Sequence, residues 1–135
     1  MLSDSVNASA TILIVDDEDF LLEFVRLVLV RAGYSALTAQ SGEEAWNLLT
    51  DAQNEIRLLL TDIVMPGSFD GLELAERVLK RQPDLPVVLM TGAPKYRESS
   101  LEVSTWQRPL LRKPFFPDQL LTIVGENLAA ANRSK

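Results

Sequence analysis

Five short apolar runs recur along the chain, each followed by a longer stretch with helical spacing, and this alternation limits the fold more than any other feature. The runs are Ile12 to Val15, Ser35 to Thr38, Leu58 to Thr61, Val87 to Met90 and Leu110 to Leu111. The helical patterns fall near 19–32, 43–51, 71–82, 94–104 and 118–131. Strands that alternate with helices build parallel crossover units, and runs with no polar alternation need cover on both faces. A doubly wound five-stranded parallel α/β sheet with five helices is the expected result. With 135 residues the chain suits one core. Residues 1–10 are expected as a flexible N-terminal segment, 11–131 as the folded domain and 132–135 as a tail.

Local start and stop signals agree. Gly33 follows Arg31 and Ala32 as a helix C-terminal signal. Ser41 and Glu44 have the spacing of a capping box. Pro83 and Pro86 end one helix ahead of the next strand. The first helix is apolar nearly all round apart from Asp19, Glu23 and Arg26, so it is expected to be largely buried.

In open parallel sheets, sites form beyond the carboxyl ends of the strands. The first strand runs into Asp16 and Asp17, the third ends on Asp62, the fourth on Thr91 and the fifth on Lys113. Singly, each has an ordinary explanation, because acids cap helices and lysines are solvated. Together, three carboxylates at one sheet end repel one another unless a counter-charge is present. A hard divalent cation such as magnesium supplies it, since magnesium takes oxygen ligands, a few carboxylates and a phosphate oxygen. An aspartate beside the metal can then attack phosphorus, with a lysine and a hydroxyl to meet the charge on the transferred oxygens.

Composition removes other chemistries. The chain has no Cys and no His, so disulfides, thiolate or imidazole metal sites and a Ser-His-Asp triad are excluded. A net charge of −6 argues against broad binding to nucleic acid. The start "MLSDSVNASA" has no basic region followed by an apolar run, and no apolar run is long enough for a membrane span. A cytoplasmic protein without membrane insertion is expected.

The segments "ILIVDDED", "LLLTDIVMPG", "GLELA", "PVVLMTG" and "LRKPF", in this order from about Thr11 to Ala130, resemble the receiver domain of two-component response regulators. The resemblance implies a flavodoxin-like fold with strand order 2-1-3-4-5 and Asp62 as phosphoacceptor. It implies magnesium held by Asp16, Asp17, Asp62 and the backbone carbonyl of Val64, with Thr91 as switch hydroxyl and Lys113 pairing with the phosphate. It also implies a cis Lys113–Pro114 peptide. Such a domain takes a phosphoryl group from a sensor histidine kinase or a histidine phosphotransfer protein and then acts on an effector protein. It is a monomer or weak dimer, makes no direct nucleic-acid contact, and catalyses only its own phosphorylation and slow dephosphorylation. The methionine start and ordinary tail lead to the expectation of a stand-alone receiver.

Three features depart from the family's pattern. Leu110 stands three residues before Lys113, where an aromatic is common. The stretch 94–109 is poor in helix formers, so the fourth helix is expected to be short or irregular. The loop "MPGSFDG" is one residue longer than in many single-domain receivers. Other readings are a pseudo-receiver that binds partners without phosphorylation, an aspartate-nucleophile phosphatase and a nucleotide or flavin binder. The intact acid pair with Asp62, Thr91 and Lys113 opposes the first, Val64 in place of a second acid opposes the second, and the lack of a phosphate-binding loop opposes the third. For docking of the phosphodonor, Phe20, Leu21 and Phe24 on one side of the acid mouth and Phe115, Phe116 and Pro117 on the other are the candidates. Two or three of these are expected in the core, Phe115 foremost, with Leu21 and Phe116 as anchors.

Overall fold

A computed structural model describes residues 10–67, 69–92, 106 and 108–133. The strands are β1 (Thr11–Val15), β2 (Ser35–Ala39), β3 (Ile56–Asp62), β4 (Val87–Thr91) and β5 (Leu110–Arg112). All neighbouring pairs are parallel, in the order β2-β1-β3-β4-β5. Helices α1 (Asp19–Arg31), α2 (Gly42–Thr50), α3 (Gly71–Arg81) and α4 (Pro117–Arg133) connect or follow them, with a 3-10 turn at Ala52–Asn54. The fourth expected helix, over 94–104, lies outside the described residues.

The sheet is buried on both faces because its side chains alternate between two cores. Leu13, Val15, Leu59, Val87 and Leu89 pack against Ala45 of α2 and Leu72, Leu74, Ala75 and Val78 of α3. Ile12, Ile14, Leu58, Leu60, Val88 and Met90 pack against Leu22, Val25 and Leu29 of α1 and Leu120, Val124 and Leu128 of α4. That is why the runs read as continuous apolar sequence. Ala10, just ahead of β1, is buried too, and its carbonyl accepts from Ser35 N–H at 3.0 Å.

The helix ends follow their sequence signals, with one change. Ser41 Oγ accepts from Glu44 N–H at 3.1 Å, but the Glu44 carboxylate takes the N–H of Gln40 (2.9 Å) rather than that of Ser41. Half of the expected capping box therefore forms, and its return bond reaches one residue further back. Gly33 sits at φ 102°, the left-handed geometry that ends α1 without a Cβ clash.

Helix α1 is not largely buried. It buries Leu22, Val25 and Leu29, while Phe20, Phe24, Leu27 and Val30 are exposed. A helix lying on one sheet face meets the core along a single stripe, and nothing among the described residues forms a further layer over its other side.

Candidate functional site

The carboxyl ends of β1, β3 and β5 converge at one mouth of the sheet. Asp16 follows β1 directly and is fully buried; its N–H donates to Ala39 O (3.1 Å), which fixes where the side chain leaves the sheet. Its Oδ1 accepts from Glu18 N–H at 2.9 Å. Its Oδ2 meets Lys113 Nζ at 2.9 Å, and the same ammonium stands 3.3 Å from Asp62 Oδ1. Asp17 points to solvent, yet one oxygen from each of Asp16, Asp17 and Asp62 lies within 4.8 Å of the others.

Lys113 reaches this place because β5 hands it over in register. Lys113 N–H donates to Thr91 O at 2.8 Å, so the last residue of β4 and the first after β5 are held side by side. The Lys113–Pro114 peptide is cis, as the resemblance implied. Asp62 is positioned on its other flank by Ile63 N–H, which donates to Met90 O (3.1 Å), and by Gly71 N–H, which donates to Ile63 O (2.9 Å).

Electrostatics follow from this crowding. Burial pushes the Asp62 carboxyl up to about 6, and the neighbouring Asp16 charge adds to the rise against the opposing pull of Lys113. Burial by itself would lower the Lys113 ammonium, but its hydrogen bond to Asp16 and the charges of Asp62 and Asp16 outweigh that, and its pKa is raised. Three ionised carboxylates against one ammonium leave two negative charges unmatched. Hard oxygen donors at this spacing with an excess charge of two fit one divalent cation.

The site residues read from sequence thus separate into two groups. Asp16, Asp17, Asp62 and Lys113 are brought together directly. Thr91 stands at the end of β4, joined to Lys113 through backbone, and Val64 lies in the loop after Asp62 with an exposed side chain. Leu110 and Trp106 both pack against the core on the α2–α3 side of the sheet.

Sequence reasoning missed Gly71. A Cβ there would come 1.6 Å from the carbonyl oxygen of Asp62, so only glycine lets α3 start this close to the strand end. The signal was present in "FDG", where Asp70 caps α3 by accepting from Glu73 N–H at 3.0 Å. Phe69 was missed as well. It is buried beneath the Arg77 guanidinium, 4.5 Å from the ring centre, and Arg77 also covers Trp46 at 5.7 Å, which ties the loop after Asp62 to α2 and α3.

Known proteins are similar to the chain over most of its length. The model of the response regulator receiver domain matches residues 12–125. The chain belongs to the response regulator receiver family. Response regulator GtcR of Aneurinibacillus migulanus is 32% identical over 123 residues, covering 91% of this chain and 49% of that protein. The DNA-binding transcriptional regulator NtrC of Klebsiella pneumoniae is 36% identical over 119 residues, 86% of this chain and 24% of that one. The receiver chain therefore spans half or less of these curated relatives. Among solved structures, a response regulator receiver domain protein of Clostridium thermocellum superposes with a TM-score of 0.82 at 26% identity, covering 93% of this chain and 99% of that one. No helix among the described residues is long and apolar enough to cross a membrane.

Proposed function

We propose that this receiver accepts a phosphoryl group on Asp62 from a histidine donor, a sensor kinase or a phosphotransfer protein in the cytoplasm, and that the modification switches its binding to an effector protein. The observation that carries the reading is the placement of Asp62 between two further acids and the Lys113 ammonium at the open end of the sheet. An Asp62 oxygen attacks phosphorus, the P–N bond of the phosphohistidine breaks, its electron pair returns to the imidazole, and an acyl phosphate remains. Lys113, already 3.3 Å from Asp62 Oδ1, pairs with an oxygen of the transferred group, while Thr91 at the end of β4 offers its hydroxyl to another. Asp16, Asp17, Asp62 and the Val64 carbonyl would hold magnesium, which when bound neutralises charge on the carboxylates and the phosphoryl group.

The buried position of Asp16 and its bond to Lys113 set the reactive geometry, and the exposure of Asp17 leaves an open path for the donor. On the rim, Phe116 is 71% exposed, whereas Leu21 and Phe115 are half-buried against the core. Phe116 is therefore the docking anchor, and Leu21 serves the fold.

Incubation with acetyl phosphate and magnesium should add one phosphoryl mass, which Asp62→Asn abolishes and Asp17→Ala or excess EDTA largely prevents. Full labelling of Asp62→Asn would refute the acceptor. Equal labelling in EDTA would refute the metal's part. No labelling under any condition would leave a receiver that binds partners without phosphorylation.

A further inference from the structure

The loop after Asp62 is held by a contact that lies away from the acids. Val64 contributes no anchor of its own, since its side chain is 42% exposed. Its place is set by its neighbours, because Ile63, Met65 and Phe69 are all buried in the α2–α3 core. Phe69 lies directly against the start of α2: a Cβ on Gly42 would stand 2.6 Å from its carbonyl oxygen and 3.0 Å from its ring. The guanidinium of Arg77 covers the same ring at 4.5 Å and reaches Trp46 of α2 at 5.7 Å. Helical side chains lean toward the amino end, which carries Arg77 back over this loop, and Glu73 one turn earlier meets its guanidinium at 3.6 Å. Half of the Arg77 side chain is exposed, so it does not fill the core. Its planar group instead bridges one loop and two helices.

We propose that Arg77 is a positioning residue for the metal, and that by clamping Phe69 it holds the Val64 carbonyl where a cation can use it. This rests on the reading of that carbonyl as a magnesium ligand. Asp16, Asp17 and Asp62 offer side-chain oxygens, which can turn toward an ion. A backbone carbonyl has no such freedom and is in place only when its loop is. Opening the clamp lets the loop leave that position, and the apparent dissociation constant rises as the competent fraction falls. A guanidinium stacked on a ring is worth up to about tenfold in such a population.

Manganese takes the same hard oxygen ligands, and loss of its free EPR signal counts the bound ion, with magnesium measured by competition. Arg77→Ala should keep the native circular dichroism and raise both dissociation constants about three- to tenfold. Charge alone predicts the reverse, because removing a cation from a protein tightens its hold on a metal ion, so a rise reports position. Lys80→Ala removes the same charge from an exposed site on the same helix and should bind within about twofold of wild type. Phe69→Leu keeps an apolar side chain but offers no ring, and it should match Arg77→Ala. The double variant should then be no weaker than the weaker single one, because both changes open one contact.

Arg77→Ala binding within about twofold of wild type would overturn the clamp and leave the metal site standing. So would an equal loss in Lys80→Ala, or losses that add in the double variant. A wild-type chain that takes up no ion, or whose uptake is unchanged by Asp17→Ala, would overturn the metal reading and the clamp with it.

Discussion

Replacing Asp62 by Asn should stabilise the protein at neutral pH, and the gain should vanish in acid. The folded site lifts the Asp62 carboxyl from an ordinary value of 3.8 to about 6. The folded state therefore holds this proton more tightly than the unfolded chain, and stability is highest below the unfolded value, then lost as the pH rises through the folded one. About two pH units of difference correspond to at most about 3 kcal/mol of stability removed when Asp62 ionises. Asp62 is only 7% exposed, so solvent does little to screen this cost. The Asn side chain is nearly the same size and carries no charge, so Asp16 can keep its bond to Lys113 without a second carboxylate beside it. Urea unfolding of both proteins, in EDTA so that no cation intervenes, gives the difference directly. It should be near zero at about pH 4 and should grow to about 2–3 kcal/mol in favour of Asp62→Asn by about pH 8. Saturating magnesium should then recover part of the wild-type deficit and leave Asp62→Asn almost unchanged. A difference that is flat with pH, or an Asn variant less stable at pH near 8, would show that the three acids do not strain one another as the geometry requires.

Lys113→Ala should fold, with a stability loss below the about 3–5 kcal/mol of a fully buried pair because the ammonium keeps 20% exposure. Its labelling by acetyl phosphate should slow about a hundredfold, since a charge on the transferred oxygens is lost; a rate within twofold of wild type would refute that role. Phe116→Ala should slow phosphotransfer from the cognate histidine donor while leaving acetyl phosphate labelling intact, because a small donor needs no docking surface. Equal slowing by both donors would make Phe116 a support of the site instead. Gly71→Ala places a methyl group 1.6 Å from the Asp62 carbonyl oxygen, so it should cost about 3 kcal/mol in urea unfolding and slow labelling. A neutral effect on both would mean that α3 shifts freely away from the strand end.

The fold and the centre of the site were legible in the sequence because both depend on local signals that repeat. Runs such as Leu58 to Thr61 read as doubly buried strands, and four of the five lead to Asp16, Asp62, Thr91 or Lys113 at one end of the sheet. Acids with no histidine or cysteine nearby pointed to a hard cation from residue type alone. Three matters needed the folded chain. The degree to which α1 is covered could not be read from its composition: Phe20 and Leu29 are both apolar, but only the packing of α1 on the sheet decides that one is exposed and the other buried. The demand for glycine at position 71 arises from a carbonyl nine residues away in sequence that folds to within a bond length of the missing Cβ. The shift of Asp62 also depends on burial and on Asp16, which lies on another strand. Sequence determines which groups arrive at the sheet's end, since that is a matter of periodicity and strand length. Only tertiary structure decides how near they come and how dry they are, and those distances set the charge on Asp62.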